Sequence, residues 1–142
     1  MCKFEYYNPN PTQRYRRDGK PMGWHKGDCH IRCVAKALEI SWEDAIKMEF
    51  EEALKRHDAV GSTKCIEAIL LRNGYKKGRP FQRGAIKPLV RNMLNNPHNK
   101  DYDIVFNMHR HVATGKQGIL YDTWNCGNES VLSYWFRKHP ED

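Results

Sequence analysis

The feature that most constrains this chain is a change in hydrophobic period partway along it. Between residues 28 and 74, apolar residues recur three and four positions apart; from 103 to 136 they alternate. The first spacing paints a stripe along a helix, and the second paints one face of a strand. Helices followed by strands make an α+β layout, with N-terminal helices packed on a C-terminal antiparallel sheet.

Local signals place the elements. Asp28 is an N-cap candidate ahead of a stripe of Val34, Ala37 and Leu38. Ser41, with Asp44 three residues on, opens a second helix over 42–56, whose stripe is Trp42, Ala45, Ile46, Phe50, Ala53 and Leu54. Ser62 caps a third helix carrying Ile66, Ile69 and Leu70, and Gly74 closes it. A short fourth helix is expected over 84–95, with Pro88 in its first turn. Strands are expected at 103–113, 118–124 and 130–136, the first two joined by the hairpin connection "TGKQG". Residues 1–27, rich in Pro, Gly, Arg, Asn and Tyr, read as an irregular N-terminal segment.

At 142 residues the chain fits one domain, 1–142, able to bury a core without covalent staples. It has no apolar run long enough to span a membrane, so no membrane partner is expected. The N-terminal "MCKFEYYNPN" lacks the apolar core of a secretory signal. Five irregularly spaced cysteines then suggest reduced thiols in a cytoplasm. The net charge of +7 is concentrated in 14–26 and 72–91. Such basic runs attract nucleic acid or acidic partners, or simply keep a surface solvated.

The hairpin brings chemistry together. A two-residue turn at Lys116 and Gln117 pairs Thr114 with Ile119 and sets His111 directly opposite Asp122, their Cβ atoms about 5 Å apart. A carboxylate there fixes the imidazole tautomer and stabilises the imidazolium. Trp124, two residues further on the same face, shields the pair from water. Cys29 lies in the first turn of the first helix, where free N–H groups and the helix dipole favour a thiolate. A nearby imidazolium would deepen that preference, and the Cys29 peptide N–H could help hold an oxyanion. The plainer reading of Cys29 is a small buried hydrophobe.

"GDC" opening a helix, followed far downstream by "HxxxxxxGxxYDTW" on a hairpin, resembles the papain-like cysteine peptidase superfamily, in particular the small papain-like proteins of bacteria and their phages. The resemblance spans roughly residues 24–136. It implies Cys29 as nucleophile, His111 as general base and acid, and Asp122 as orienting residue. It further implies a protein or peptide substrate, no cofactor, and residence in the cytoplasm of a bacterium or of a phage-infected cell. One departure stands out. Papain-like peptidases usually carry a Gln shortly before the cysteine, whereas "PMGWHKGD" has none. Gln13, Trp24 and His25 are the candidates to complete an oxyanion hole or line the site, with Trp124.

Three alternatives accompany this reading. A papain-like fold without catalysis is one. Basic segments interleaved with aromatics, "YYNPNPTQRYRR" and "GYKKGRPFQR", suit single-stranded nucleic acid. Cys29, Cys33, His109, His111 and Cys126 include enough ligands for zinc. Their C-x3-C spacing, however, differs from that of zinc knuckles, and Cys33 fits better as packing beneath Cys29. His30 is expected to point about 100° away from Cys29, towards solvent. His109 is read on the same strand face as His111. Cys65 and Cys126 are expected as core or sheet thiols, and Cys2 as an exposed one.

Overall fold

The computed structural model describes residues 2–23 and 27–141. The chain is α+β. It begins with β1 (Lys3–Tyr6) and a small hairpin of β2 (Arg14–Tyr15) and β3 (Pro21–Met22). Three helices follow: α1 (Cys29–Leu38), α2 (Trp42–Arg56) and α3 (Thr63–Arg72). After β4 (Lys76–Lys77) comes α4 (Val90–Asn95), then β5 (Tyr102–Met108), β6 (His111–Lys116), β7 (Ile119–Asp122) and β8 (Ser133–Lys138). One sheet takes six strands in the order β1-β7-β6-β5-β8-β4.

Helix boundaries follow the capping chemistry. Ser41 and Ser62 each accept a hydrogen bond from the backbone three residues on, at Asp44 and Cys65. Both β/extended caps satisfy an amide the helix leaves open. Asp28 occupies the N-cap of α1 but makes no capping bond. Its carboxylate instead accepts from Asn10 Nδ2 at 2.9 Å and Trp42 Nε1 at 3.0 Å, and pairs with Arg32. The fourth helix starts only at Val90, because Pro88 biases the residue before it away from the α region.

Alternation along β5 sorts the core into two layers. Val105, with Val112 and Trp135, meets Val34, Ala37, Ile66 and Leu70 of the helices. Ile104, Phe106, Met108 and Leu120 pack on the other side with Val90, Leu94 and Val131. Trp135 is fully buried, and its indole N–H reaches Glu67 Oε2 at 2.8 Å.

Several expectations change. The sheet is mixed: β1, from the supposedly irregular segment, pairs parallel with β7. The stretch 103–113 is two strands rather than one, turned at His109 and Arg110, with Met108 opposite His111. His109 therefore lies in a turn and does not share a strand face with His111. The next hairpin turns at Gln117 and Gly118, both at positive φ, one residue later than expected. This is the two-residue geometry whose twist matches that of the strands. On α2, Phe50 and Leu54 are exposed, while Glu49 and Glu52 are buried. The helix is rotated from its apolar stripe because both glutamates find cations, His30 for Glu49 and Arg56 for Glu52. Cys2 is buried, packed with Cys126 and Val131 under the sheet.

Candidate active site

α1 begins where β6 starts and β7 ends, so its first turn meets that end of the sheet. His111 opens β6, and Asp122 closes β7. The observed register pairs Thr114 with Tyr121, two residues from the expected partner Ile119. Continued along the strands, it makes Asp122 a diagonal rather than a direct neighbour of His111. A shift of two conserves the face of every side chain, so the contact survives. His111 Nε2 lies 2.5 Å from Asp122 Oδ2.

The other side of the ring serves Cys29. The half-buried thiol lines the same cleft as His111, close enough for the imidazole to act on its charge state. Burial favours a neutral thiol. The His111 bond and charge, the Val112 amide and the nearby Arg32 guanidinium outweigh it and lower the Cys29 pKa. Burial likewise opposes protonation of His111, but Asp122 and Cys29 raise its pKa to about 9. These opposed shifts favour a thiolate–imidazolium pair over the neutral one. α1 starts at Cys29, so the Cys29 peptide N–H has no acceptor within the helix.

Arg32, one turn after Cys29, went unnoticed in the sequence. It is buried and bridges two carboxylates, with Nη1 on Asp28 and Nη2 3.3 Å from Asp122 Oδ1. Nη1 also donates to the Tyr15 hydroxyl at 3.0 Å, and burial is the main cause that pushes the Tyr15 pKa up to about 12. Asp122 is further held by the Thr123 amide at 2.7 Å and the Cys126 thiol at 3.4 Å. The signal that could have found Arg32 is its spacing: Asp28, Cys29 and Arg32 occupy one helical turn, and a basic residue at i+4 from an acidic one is an ion-pair pattern.

The remaining candidates divide. Trp124 lies against His111, ring centroids 5.0 Å apart, and shields one side of the imidazole. It is pinned by the turn between β2 and β3, where a Cβ added at Gly19 would overlap the Trp124 side chain. Gln13 is buried, but its amide donates to the carbonyl oxygens of Arg14 at 3.1 Å and Met22 at 3.2 Å. Those bonds tie the small hairpin together. Trp24 and His25 lie outside the described residues. Cys33 packs as expected, its sulfur 3.3 Å from Thr114 Oγ1 on β6. His30 is not turned to solvent: it is half-buried, Nδ1 2.6 Å from Glu49 Oε1.

Of the alternative zinc set, Cys33 is committed to Thr114 and His109 sits in a turn. Among the described residues, His111, Asp122 and Cys126 are the group close enough to share an ion. The fit is poor. Burial, with the adjacent Asp122 charge, pushes the Cys126 thiol up and keeps it protonated, and the Arg32 guanidinium already occupies Asp122.

Among the described residues, no helix is long and apolar enough to cross a membrane. Comparison of the chain with family models, curated proteins and solved structures finds no match. The functional reading therefore rests on the geometry of the site.

Proposed function

We propose that the protein is a papain-like thiol hydrolase, or an acyltransferase of the same chemistry, acting on an amide, isopeptide or thioester carbonyl. The observation that supports it is a single imidazole held by the Asp122 carboxylate at 2.5 Å and lining the same cleft as the Cys29 thiol. In this reading the Cys29 thiolate attacks the carbonyl carbon, and the oxyanion forms beside the Cys29 peptide N–H. His111 then gives its proton to the leaving amine or thiol, and the acyl-enzyme forms. Water, or an amine in a transferase, attacks the acyl carbon as His111 takes its proton, and Cys29 is released. Asp122 holds the ring so that the proton moves on the side facing sulfur.

Labelling with an electrophilic thiol probe near pH 7 tests this. Selective modification of Cys29, strongly reduced in His111→Ala as the thiolate loses its imidazolium partner, supports the pair. Equal labelling of every accessible thiol, unchanged by that substitution, sinks it. The rival class, a basic nucleic-acid-binding module, would instead show salt-dependent affinity for single-stranded nucleic acid that persists in Cys29→Ala.

A further inference from the structure

A cleft of about 370 Å³ opens beside Cys29 and His111. Its lining includes apolar Ile66, Val112 and Leu132, and its remaining ionisable side chains are His30, His109 and Arg110. Among the described residues lining it, none is a carboxylate. A cleft edged by imidazoles and a guanidinium suits an anion.

His30 is the built part of this wall. Its Nδ1 is held 2.6 Å from Glu49 Oε1, and Glu49 is wholly buried. Glu49 Oε2 makes no hydrogen bond. A buried carboxylate with a free oxygen is an unfavourable core residue, and an apolar side chain at this position would pack more stably. What Glu49 does is hold the imidazole ring. Burial opposes protonation of His30, yet the Glu49 bond and charge outweigh it and raise its pKa. With Nδ1 held by Glu49, Nε2 is the ring nitrogen left for a ligand in the cleft His30 lines, and protonation of the ring makes it a charge-assisted donor. Gly61, at φ +82, completes the mount: a Cβ there would overlap the His30 ring.

We propose that this cleft is a specificity site for a substrate carboxylate close to the scissile carbonyl, bound by His30 Nε2–H with Arg110 at the rim. The site thereby selects an acidic peptide or acyl group over a neutral one. The proposal rests on Cys29 being the nucleophile of the reaction above.

The test compares alkylation of Cys29 by iodoacetate and by iodoacetamide, which differ in a carboxylate. A thiolate displaces iodide from either. The His111 imidazolium favours iodoacetate in any such pair, so the informative quantity is the rate ratio across variants. His30→Gln and Arg110→Asn are each expected to lower the iodoacetate-to-iodoacetamide ratio at least threefold relative to the unaltered protein. Asparagine tolerates the positive φ of position 110, in an exposed turn, so that variant keeps the fold if His30→Gln does not. A ratio equal in the unaltered protein and in Arg110→Asn, and in His30→Gln where it folds, overturns the carboxylate site. Failure of both reagents to modify Cys29 selectively overturns the nucleophile instead, so the two failures are distinguishable. Chloroacetyl-Glu-amide and chloroacetyl-Ala with a free carboxylate, each against chloroacetyl-Ala-amide, separate a side-chain carboxylate from a chain terminus. Preference for neither charged probe also overturns the site.

Discussion

Two groups set the charge state at the centre of the site, and their shifts run in opposite directions. Cys29 ionises below the usual thiol range, while His111 keeps its proton up to about pH 9. Alkylation by a neutral reagent should therefore rise with pH through the lowered thiol value and level off at a lower pH than for an ordinary thiol. Turnover that needs the imidazolium as acid should fall as pH passes about 9. The two limbs belong to the coupled pair rather than to either residue alone. Asp122→Asn removes a hydrogen bond and a charge that raise His111, so its alkaline limb should move to lower pH and its thiol limb upwards. A pH–rate profile of both proteins measures this. Arg32 acts as a positioning residue through Asp122 and Asp28, and its charge also helps lower Cys29. Arg32→Met should raise the thiol limb. It should also cost about 3–5 kcal/mol in urea unfolding, because two buried carboxylates lose their cation. A purely structural role would leave the thiol limb in place.

The helices show how far local chemistry reaches. Ser41→Ala and Ser62→Ala should each destabilise by about 1 kcal/mol, read from the urea midpoint, because each removes one capping bond. Asp28→Ala should cost more than either, although it removes no cap. It strands Arg32, Asn10 and Trp42, which all bond to that carboxylate. At the β6–β7 turn, Gly118 sits at φ +82 with no close neighbour but the Leu94 carbonyl at 3.6 Å. Gly118→Ala should therefore cost about 1–2 kcal/mol from backbone conformation rather than from collision. The turn also decides the register, and the register decides whether His111 meets Asp122.

For the whole molecule, the sheet separates two cores and carries the site at one end. Trp135 spans β8 to the helical layer and hydrogen-bonds Glu67. Trp135→Ala should cost about 3–5 kcal/mol and lower the melting temperature by several degrees. Opposite the site, the buried Asp103 gathers Arg137 at 3.3 Å, His139 at 2.5 Å and Lys116 at 3.9 Å, tying the strand ends together. Lys116 also reaches Glu39, the left-handed cap of α1, at 2.7 Å. The helix that begins at Cys29 is thus anchored to the sheet at both ends, by Arg32 near its start and by Lys116 at its finish.

Much of this was legible in the chain itself. The change of period separates helices from strands, and Ser41, Ser62 and Gly74 mark helix ends. These signals were readable because a cap or a stripe depends on residues within about four positions. Cys29 at a helix start and the shared face of His111 and Asp122 came from the same short-range rules. Three things were decided by the fold. The hairpin turned one residue later, since positive φ at Gln117 and Gly118 suits the strand twist. The N-terminal segment joined the sheet in parallel, a pairing with a strand more than 100 residues away that no local pattern announces. His30–Glu49 and Arg32–Asp122 link residues 19 and 90 positions apart, so buried charges met partners the sequence had not placed beside them. Local rules act through neighbours along the chain. Burial of a charge is permitted only where three-dimensional packing supplies its counterion.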